Sequence, residues 1–335
     1  MRPVALAVLA ALALPATAAA QDPVPTPPAP EPTATPVPPP APPATATLAV
    51  AAKNGLPGKR PAALAGRAFT ARVVMKPYVA NEPVVLRVYR GKKKIRVKSL
   101  TLHPVAGGTA GVAELKVKSA ASGTVKLTAS HRATAGLATV IAKPVNVTIA
   151  KPYAGPGARG PAVQYLQNRL AALHYVTSRS GVYDAATGRA IMAWRKVAGY
   201  ARTYVADAAV FDGLLKGRGV FKVRHPGDGH HVEARLNQQV LALINGGRVE
   251  RIYHTSSGAP ATPTVRGRFA VYMKTAGVNA KGMVDSSYFI RGYAIHGYAS
   301  VPPYNASHGC LRVPIPNARS IYDWLRIGDV VWVEP

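Results

Sequence analysis

Cysteine is almost absent from this sequence of 335 residues, in which Cys310 is the only one. A single cysteine excludes a disulfide within the chain and zinc sites built from several thiolates. Three interpretations of the thiol remain: a buried packing group, half of a disulfide to another chain, or a nucleophile. The choice depends on the compartment, because an idle free thiol is a liability in an oxidising environment.

Acidic residues are also scarce: 14 Asp and Glu stand against 42 Lys and Arg, which gives a formal net charge of +28. Such a chain can favour nucleic acid, a membrane surface or another polyanion. A compositional bias towards Ala and Arg is the alternative explanation. For an exported protein we expect anionic cell-envelope polymers as partners, and no nucleic acid.

Long apolar runs are missing after the first twenty residues. Those twenty combine a positive start at Arg2, an apolar run over Val4–Leu14 and small residues before Gln21, which is the pattern of a cleaved secretion signal. An uncleaved anchor is the alternative, but Pro15 ends the run well short of the ~20 residues that a spanning helix needs. We therefore expect a secreted, extracytoplasmic protein, which meets the membrane only through its signal during export.

Residues 21–46 form a Pro-rich segment, with twelve prolines between Pro23 and Pro43. This composition predicts an extended, disordered linker.

Residues 47–150 alternate apolar and polar side chains between turn residues, as in FTARVVM and GTVKLTAS, and predict a basic, all-β, Ig-like sandwich. Its basic surface is either a binding face for polyanions or a solvated face without a partner.

Residues 155–216 change to a helical period. Pro161 is suited to the first turn of a helix, and the apolar stripe that follows is Val163, Leu166, Leu170 and Leu173. Asp184 is placed to cap a second helix. The pattern predicts two helices in a small helical domain.

Residues 219–335 return to strands, with a hairpin turn at Asn245-Gly246-Gly247 and one late helix that starts at Pro316 or Asn317 and ends at Gly328. Three histidines lie on a polar turn near the start of this segment, and we expect them to be solvated rather than bound to metal: His225, His230 and His231. This part of the chain is mostly β.

The stretch HGYASVPPYNASHGCLRVP holds the chemistry. A thiol attacks a carbonyl as thiolate, and an imidazole can take its proton. His308 is nearer to Cys310 in sequence, but His296 ends an apolar strand that would hold its ring rigidly, so we predict His296 as the base. We expect the amides of Gly309 and Cys310 to face a developing oxyanion.

Two family resemblances follow from these residues. The segment GARGPAVQYLQNRLAALHYVTSRSGVYDAATGRAIMAWRKVAGY resembles the peptidoglycan-binding domain 1 family, a small three-helix module. The segment GYAIHG…SHGCLR, with TPTVRGRFAVYMK upstream, resembles the L,D-transpeptidase catalytic domain of the YkuD family. The second resemblance implies a β-sandwich with a short helix. Together with the N-terminal β domain and the helical module, it predicts a multidomain chain.

The YkuD resemblance also implies roles for the site residues. Cys310 is implied as the nucleophile and His296 as general base and acid, while Ser307, His308, Gly309 and Gly297 are implied to shape the site. Arg312 is expected to bind a substrate carboxylate, and Tyr288 and Tyr298 to line a substrate groove, although packing of the two rings is the alternative. No metal or organic cofactor is implied.

The implied reaction is attack on the third residue of a peptidoglycan stem peptide, diaminopimelate, with release of D-alanine and transfer of the acyl group to an amine. The alternatives are an L,D-carboxypeptidase that uses water on the same site, or a non-catalytic wall-binding protein.

Two departures from the family pattern stand out. Val265-Arg266 lengthens the step to Gly267, and Gly297 replaces a serine that could orient the base, so a backbone carbonyl is expected to orient His296 instead.

Overall fold

The computed structural model describes residues 41–56, 58–105 and 107–335. The predicted secretion signal and most of the predicted linker lie outside the described residues. In the part of the chain that the structure describes, no helix has the length and apolar character needed to cross a membrane. Residues Pro43–Pro335 form one compact unit.

Two β-sheets enclose an apolar core in the N-terminal part of this unit. Alternation is clear in one strand, in which every second residue from Phe69 is buried: Phe69, Ala71, Val73 and Met75. The strands are β1 (Thr47–Lys53), β2 (Ala62–Leu64), β3 (Ala68–Lys76), β4 (Pro83–Arg90), β5 (Lys93–Thr101), β6 (His103–Pro104), β7 (Gly111–Lys118), β8 (Gly123–His131), β9 (Val140–Ile141) and β10 (Val145–Ala150). One sheet has the order β1-β3-β7-β6, and the other β2-β10-β8-β4-β5 with β9 beside β8. The likeness to an Ig domain stays a prediction.

Three helices follow: α1 (Pro161–Ala172), α2 (Ala185–Ala198) and α3 (Ala208–Leu215). Two begin at capping aspartates, because Asp184 accepts a hydrogen bond from the Thr187 N–H and Asp207 accepts one from the Val210 N–H. Gly199, with φ 75°, ends α2 in the left-handed conformation that glycine adopts readily.

The remaining residues form two sheets and one helix. The strands are β11 (His231–Arg235), β12 (Val240–Asn245), β13 (Arg248–His254), β14 (Gly267–Ala270), β15 (Met273–Val278), β16 (Val284–Ile290), β17 (Tyr293–Tyr298), β18 (Leu311–Pro314) and β19 (Val330–Glu334). The sheet orders are β13-β12-β11-β19-β14 and β15-β16-β17-β18. The predicted hairpin at residues 245–247 is present between β12 and β13, whereas GRFAVYMK is divided between two strands in different sheets.

The late helix α4 (Ile315–Trp324) packs against β16 and β17. Its predicted inner stripe is buried at Ala318, Ile321 and Leu325. The helix therefore backs the strand that carries His296.

Strand β12 explains how the helices and the C-terminal sheets fit together. Its sequence VLALI is apolar throughout rather than alternating, because both faces are covered. Val240, Ala242 and Ile244 pack with the three-helix module, while Leu241 and Leu243 pack against the second sheet. The three helices and the two C-terminal sheets therefore share an apolar core, which crosses the predicted domain boundary at residues 216–219.

Candidate active site

Strands β17 and β18 bring the two predicted catalytic residues together. They pair in parallel, with Ile295 opposite Leu311 and His296 opposite Arg312. Cys310 directly precedes β18 and therefore reaches the edge where His296 lies. Both side chains line one cavity of about 380 Å³, together with Lys281, Met283, Gly292, Tyr293, Tyr298, His308 and Arg312.

The His296 ring is buried and held by the backbone. Its Nδ1 lies 2.8 Å from the carbonyl oxygen of Gly297. A carbonyl only accepts, so Nδ1 carries the hydrogen and Nε2 of the neutral ring is the basic nitrogen. Burial lowers the pKa of His296, the Gly297 carbonyl opposes that change, and the charge of Arg312 lowers the pKa further.

The Cys310 thiol is half-buried, with its Sγ 3.8 Å from the Gly292 carbonyl oxygen. Burial raises its pKa, while the Ala294 backbone and the positive charges of Arg312 and Lys281 oppose the rise. With a raised thiol pKa and a lowered imidazole pKa, the resting pair is neutral. Nucleophilic attack by such a thiol would require a base within the cavity.

Ser307 organises the turn before Cys310. Its Oγ donates to the Cys310 carbonyl oxygen at 2.6 Å and accepts from the Gly309 N–H at 3.1 Å. The Gly309 amide therefore faces Ser307 rather than an oxyanion, which differs from the prediction; the role of the Cys310 amide stays a prediction. Gly309 has φ 109°, and a Cβ there would collide with the Tyr293 ring, so the turn requires glycine.

Gly297 is equally constrained. A Cβ at this position would lie 2.7 Å from the Ala318 Cβ and 3.1 Å from the Val284 Cβ. A serine does not fit between β17 and α4, and the carbonyl of Gly297 orients the imidazole, as expected from the departure in sequence.

The other predicted site residues separate into two groups. The Arg312 guanidinium lies over the Tyr298 ring at 4.1 Å, and both line the cavity, as does the exposed His308. Tyr288 does not line it, because its ring packs against Tyr272 and its hydroxyl accepts from Asn279 Nδ2 at 3.4 Å. The packing alternative therefore describes the Tyr288 ring in this structure, and its substrate contact stays a prediction.

The three histidines near the start of the domain are packed rather than solvated. His225 stacks on Trp332 and lies 2.8 Å from a Glu334 oxygen, and His230 stacks on Trp324 beside Asp329. His231 is buried near Glu233. Among residues 41–56, 58–105 and 107–335, no group of three or more His, Cys, Asp or Glu side chains is arranged to hold a metal ion.

A buried lysine of α2 supports the loop between His296 and Cys310, and the sequence gives no sign of this contact. Lys196 Nζ donates to the carbonyl oxygens of Gln239 and Thr255, both at 2.9 Å, and lies 2.7 Å from His254 Nδ1. His254 Nε2 lies 2.9 Å from the Val301 carbonyl oxygen, so Nε2 carries the hydrogen and Nδ1 accepts.

Burial lowers the pKa of Lys196 to about 6. Three acceptors nevertheless surround Nζ, and a neutral amine has only two hydrogens for them, so the hydrogen bonding favours the ammonium form. In the sequence, Lys196 stands in a helix beside Arg195 and resembles an ordinary solvated charge. No pattern in the chain marks its burial.

Residues 229–333 match the family described as YkuD, the L,D-transpeptidase catalytic domain. The crystal structure of the L,D-transpeptidase from Xylanimonas cellulosilytica is similar, with 36% identity and a TM-score of 0.52 over 55% of this chain and 98% of that chain. This share of the chain is larger than the span of the family match. A search of curated proteins found no match.

Two further structures have TM-scores below 0.5 and add nothing to the assignment. The catalytic domain of the Enterococcus faecium L,D-transpeptidase is 23% identical, with a TM-score of 0.28 over 32% of this chain and 97% of that chain. The L,D-transpeptidase from Mycobacterium smegmatis is 13% identical, with a TM-score of 0.29 over 86% and 100%.

Proposed function

The chain belongs to the L,D-transpeptidase family, and from that membership we propose that it is an exported, cysteine-dependent enzyme that forms 3→3 cross-links in peptidoglycan. Cys310 is the nucleophile and His296 the general base and acid. The supporting observation is that β17 and β18 bring a backbone-oriented imidazole and the chain's only thiol into one cavity.

In the first step, His296 Nε2 takes the proton of Cys310 as Sγ attacks the carbonyl carbon of the third stem residue, diaminopimelate. The bond between that carbon and the nitrogen of D-alanine then breaks. His296 returns the proton to the leaving amine, and a thioester on Cys310 remains. The neutral resting pair suits this order, because the proton moves only when the substrate is in place.

In the second step, an acceptor amine attacks the thioester and loses a proton to His296. The carbon–sulfur bond breaks, the new amide bond forms, and His296 returns the proton to the thiolate. The enzyme ends each cycle as it began. Arg312 and Lys281 supply positive charge along the cavity for the carboxylates of the stem peptides.

Export and attachment to the wall are part of the proposal. The first twenty residues have the pattern of a secretion signal, and the Pro-rich segment after them suits a spacer. The three-helix module is proposed to bind peptidoglycan, and the basic N-terminal sheets to contact anionic wall polymers. These assignments come from the sequence patterns.

The test is incubation of the purified protein with a disaccharide-tetrapeptide, followed by mass spectrometry of the products. A dimer with a 3→3 link is the expected product. Tripeptide alone would mean that water is the acceptor and the enzyme is an L,D-carboxypeptidase. Unchanged substrate would support a non-catalytic wall-binding protein.

The matched control is Cys310→Ala, which removes the thiol but no other group of the site. We expect neither dimer nor tripeptide from this variant. If Cys310→Ala gave the same products as the unaltered protein, the cysteine mechanism would be wrong.

A further inference from the structure

Two cavities lie between the cavity around Cys310 and the three-helix module. A second cavity of about 310 Å³ shares Tyr298 with the cavity around Cys310 and is also lined by Ala299, Val301 and Arg189. A third, of about 480 Å³, shares Arg189 and Tyr204 with the second and ends at Tyr183 and Gly188 of the module. Because neighbouring cavities share lining residues, the three lie side by side, and this row of cavities is called the module trough.

The walls of the module trough are held in place by hydrogen bonds. The Tyr183 hydroxyl donates to the Tyr204 carbonyl oxygen, which fixes the loop that carries Tyr204. Arg189 Nε donates to Asn317 Oδ1 of α4 at 3.1 Å, so this arginine bridges the module and the catalytic sheets. The Tyr204 ring stands edge-on to His254 at 6.1 Å. The trough is thus formed before any ligand binds.

The chemistry of the module trough suits a peptide or sugar strand with carboxylates. Tyrosine rings offer flat faces to sugar rings and aliphatic stems. A guanidinium has five N–H donors, and the bond to Asn317 uses one of those on Arg189. Asp184 also lines the trough, but its Oδ1 accepts from the N–H and hydroxyl of Thr187.

The position of the base fits an acceptor strand in the trough. A transpeptidase must bring two strands to one sulfur, and its base serves the leaving amine of the donor first and the attacking amine of the acceptor second. His296 lies edge-on to Tyr298 at 5.7 Å, and Tyr298 is the wall shared by the catalytic cavity and the trough. A strand in the trough would deliver its amine beside His296.

We propose that the module trough binds the acceptor strand of peptidoglycan, with Arg189 holding a carboxylate and Tyr204 packing against the strand. This proposal rests on the proposed transpeptidase function. It makes the three-helix module part of the active site rather than a separate anchor, and it names the acceptor as a second stem peptide.

The test separates the two half-reactions. D-Alanine release from a disaccharide-tetrapeptide reports acylation, and dimer formation with a stem tripeptide reports transfer, because a tripeptide has no terminal D-alanine to release. For Arg189→Gln and for Tyr204→Ser, we expect the KM for the tripeptide to rise about tenfold, as for loss of one charge-assisted or packing contact. The KM for the tetrapeptide donor should change much less, and the ratio of dimer to hydrolysed product should fall.

Two further variants make the result specific. Tyr204→Phe keeps the ring and should retain most of the acceptor affinity. Arg179→Gln removes an exposed charge of the same module outside the trough and should change neither KM. Thermal unfolding followed by tryptophan fluorescence shows whether each variant is folded.

The proposal is overturned if both trough variants leave the acceptor KM unchanged, or if donor and acceptor KM rise together. Absence of D-alanine release by the unaltered protein would overturn the transpeptidase function itself. If the trough proposal alone is wrong, the trough variants release D-alanine and form dimer as the unaltered protein does.

Discussion

At the scale of single residues, His296 and Cys310 have opposite responses to burial. Burial disfavours the charged form of each group, which lowers the pKa of the imidazole and raises that of the thiol. In the proposed mechanism the proton therefore stays on sulfur until a substrate arrives. The Gly297 carbonyl at 2.8 Å fixes the tautomer in which Nε2 has no hydrogen and can accept a proton.

The pH dependence of acylation follows from this pair. His296 must be neutral to act as a base, and its pKa lies below the ordinary 6.5. We expect kcat/KM for D-alanine release to rise with pH through a midpoint below 6.5 and then to stay level to about pH 8. Measurement of kcat/KM across this range checks it, and a midpoint at or above pH 7 would contradict the neutral pair.

The space around Gly297 predicts the effect of restoring a serine there. In Gly297→Ser, the new Cβ collides with Ala318 and Val284, so we expect a loss of about 1–3 kcal/mol in the free energy of unfolding and a slower acylation step. The control is Gly227→Ser, at an exposed glycine whose Cβ would meet nothing within 4 Å. Equal stability of the two variants in urea would show that the site tolerates a side chain.

Much of the residue-level site could be predicted from sequence. A lone thiol, a strand-borne histidine and a glycine in place of an orienting serine indicate the nucleophile, the base and a backbone orienter. The Gly309 amide was predicted wrongly, because sequence spacing does not show that Ser307 Oγ turns back to accept from it.

At the scale of secondary-structure elements, the site depends on the parallel pairing of β17 and β18 and on the loop between them. That loop is supported by Lys196 of α2 through His254, whose Nε2 lies 2.9 Å from the Val301 carbonyl oxygen. Neither the pairing nor the support was predictable, because a long loop leaves the strand partner open and nothing local marks a charged residue as buried. Helices α1, α2 and α4, which have clear apolar periods and end signals, were predictable, whereas α3 was implied only by the family resemblance.

Replacement of Lys196 tests this support. Lys196→Met keeps the length of the side chain but removes the donor to the Thr255 carbonyl oxygen and to His254 Nδ1, and leaves the Gln239 carbonyl oxygen with the Thr255 N–H alone. We expect a loss of about 3 kcal/mol in the free energy of unfolding. Urea unfolding followed by tryptophan fluorescence measures it, because all three tryptophans, Trp194, Trp324 and Trp332, lie in the helical and C-terminal parts.

The control for this variant is Lys216→Met on the same module. Lys216 is 60% exposed and pairs with Asp212, so the loss should stay below about 1 kcal/mol. Similar small losses for both lysines would mean that Lys196 does not hold the loop.

At the scale of the whole molecule, charge is distributed unevenly. Between residues 41 and 150 the chain has two acidic residues, Glu82 and Glu114. Strand β5 is the edge of its sheet and is exposed along nearly its whole length, with four cations on it: Lys93, Lys94, Arg96 and Lys98. Overall basicity was evident from composition, but the concentration on one exposed edge depends on the fold.

Binding to a polyanion should depend on this edge. We expect the protein to co-sediment with dextran sulfate beads but not with neutral dextran, and to be released by about 1 M salt, at which charges are screened within about 3 Å. Replacing the four β5 cations by glutamine should weaken binding more than replacing four exposed cations elsewhere, namely Arg179, Lys216, Arg218 and Lys222. Equal weakening would indicate net charge rather than a surface.

Acylation of Cys310 is measured from the mass of the intact protein after incubation with a carbapenem, followed by peptide mapping. We expect one covalent adduct, located on the peptide that contains Cys310 and absent from Cys310→Ala. An unmodified protein at neutral pH, or an adduct that persists in Cys310→Ala, would contradict the cysteine mechanism.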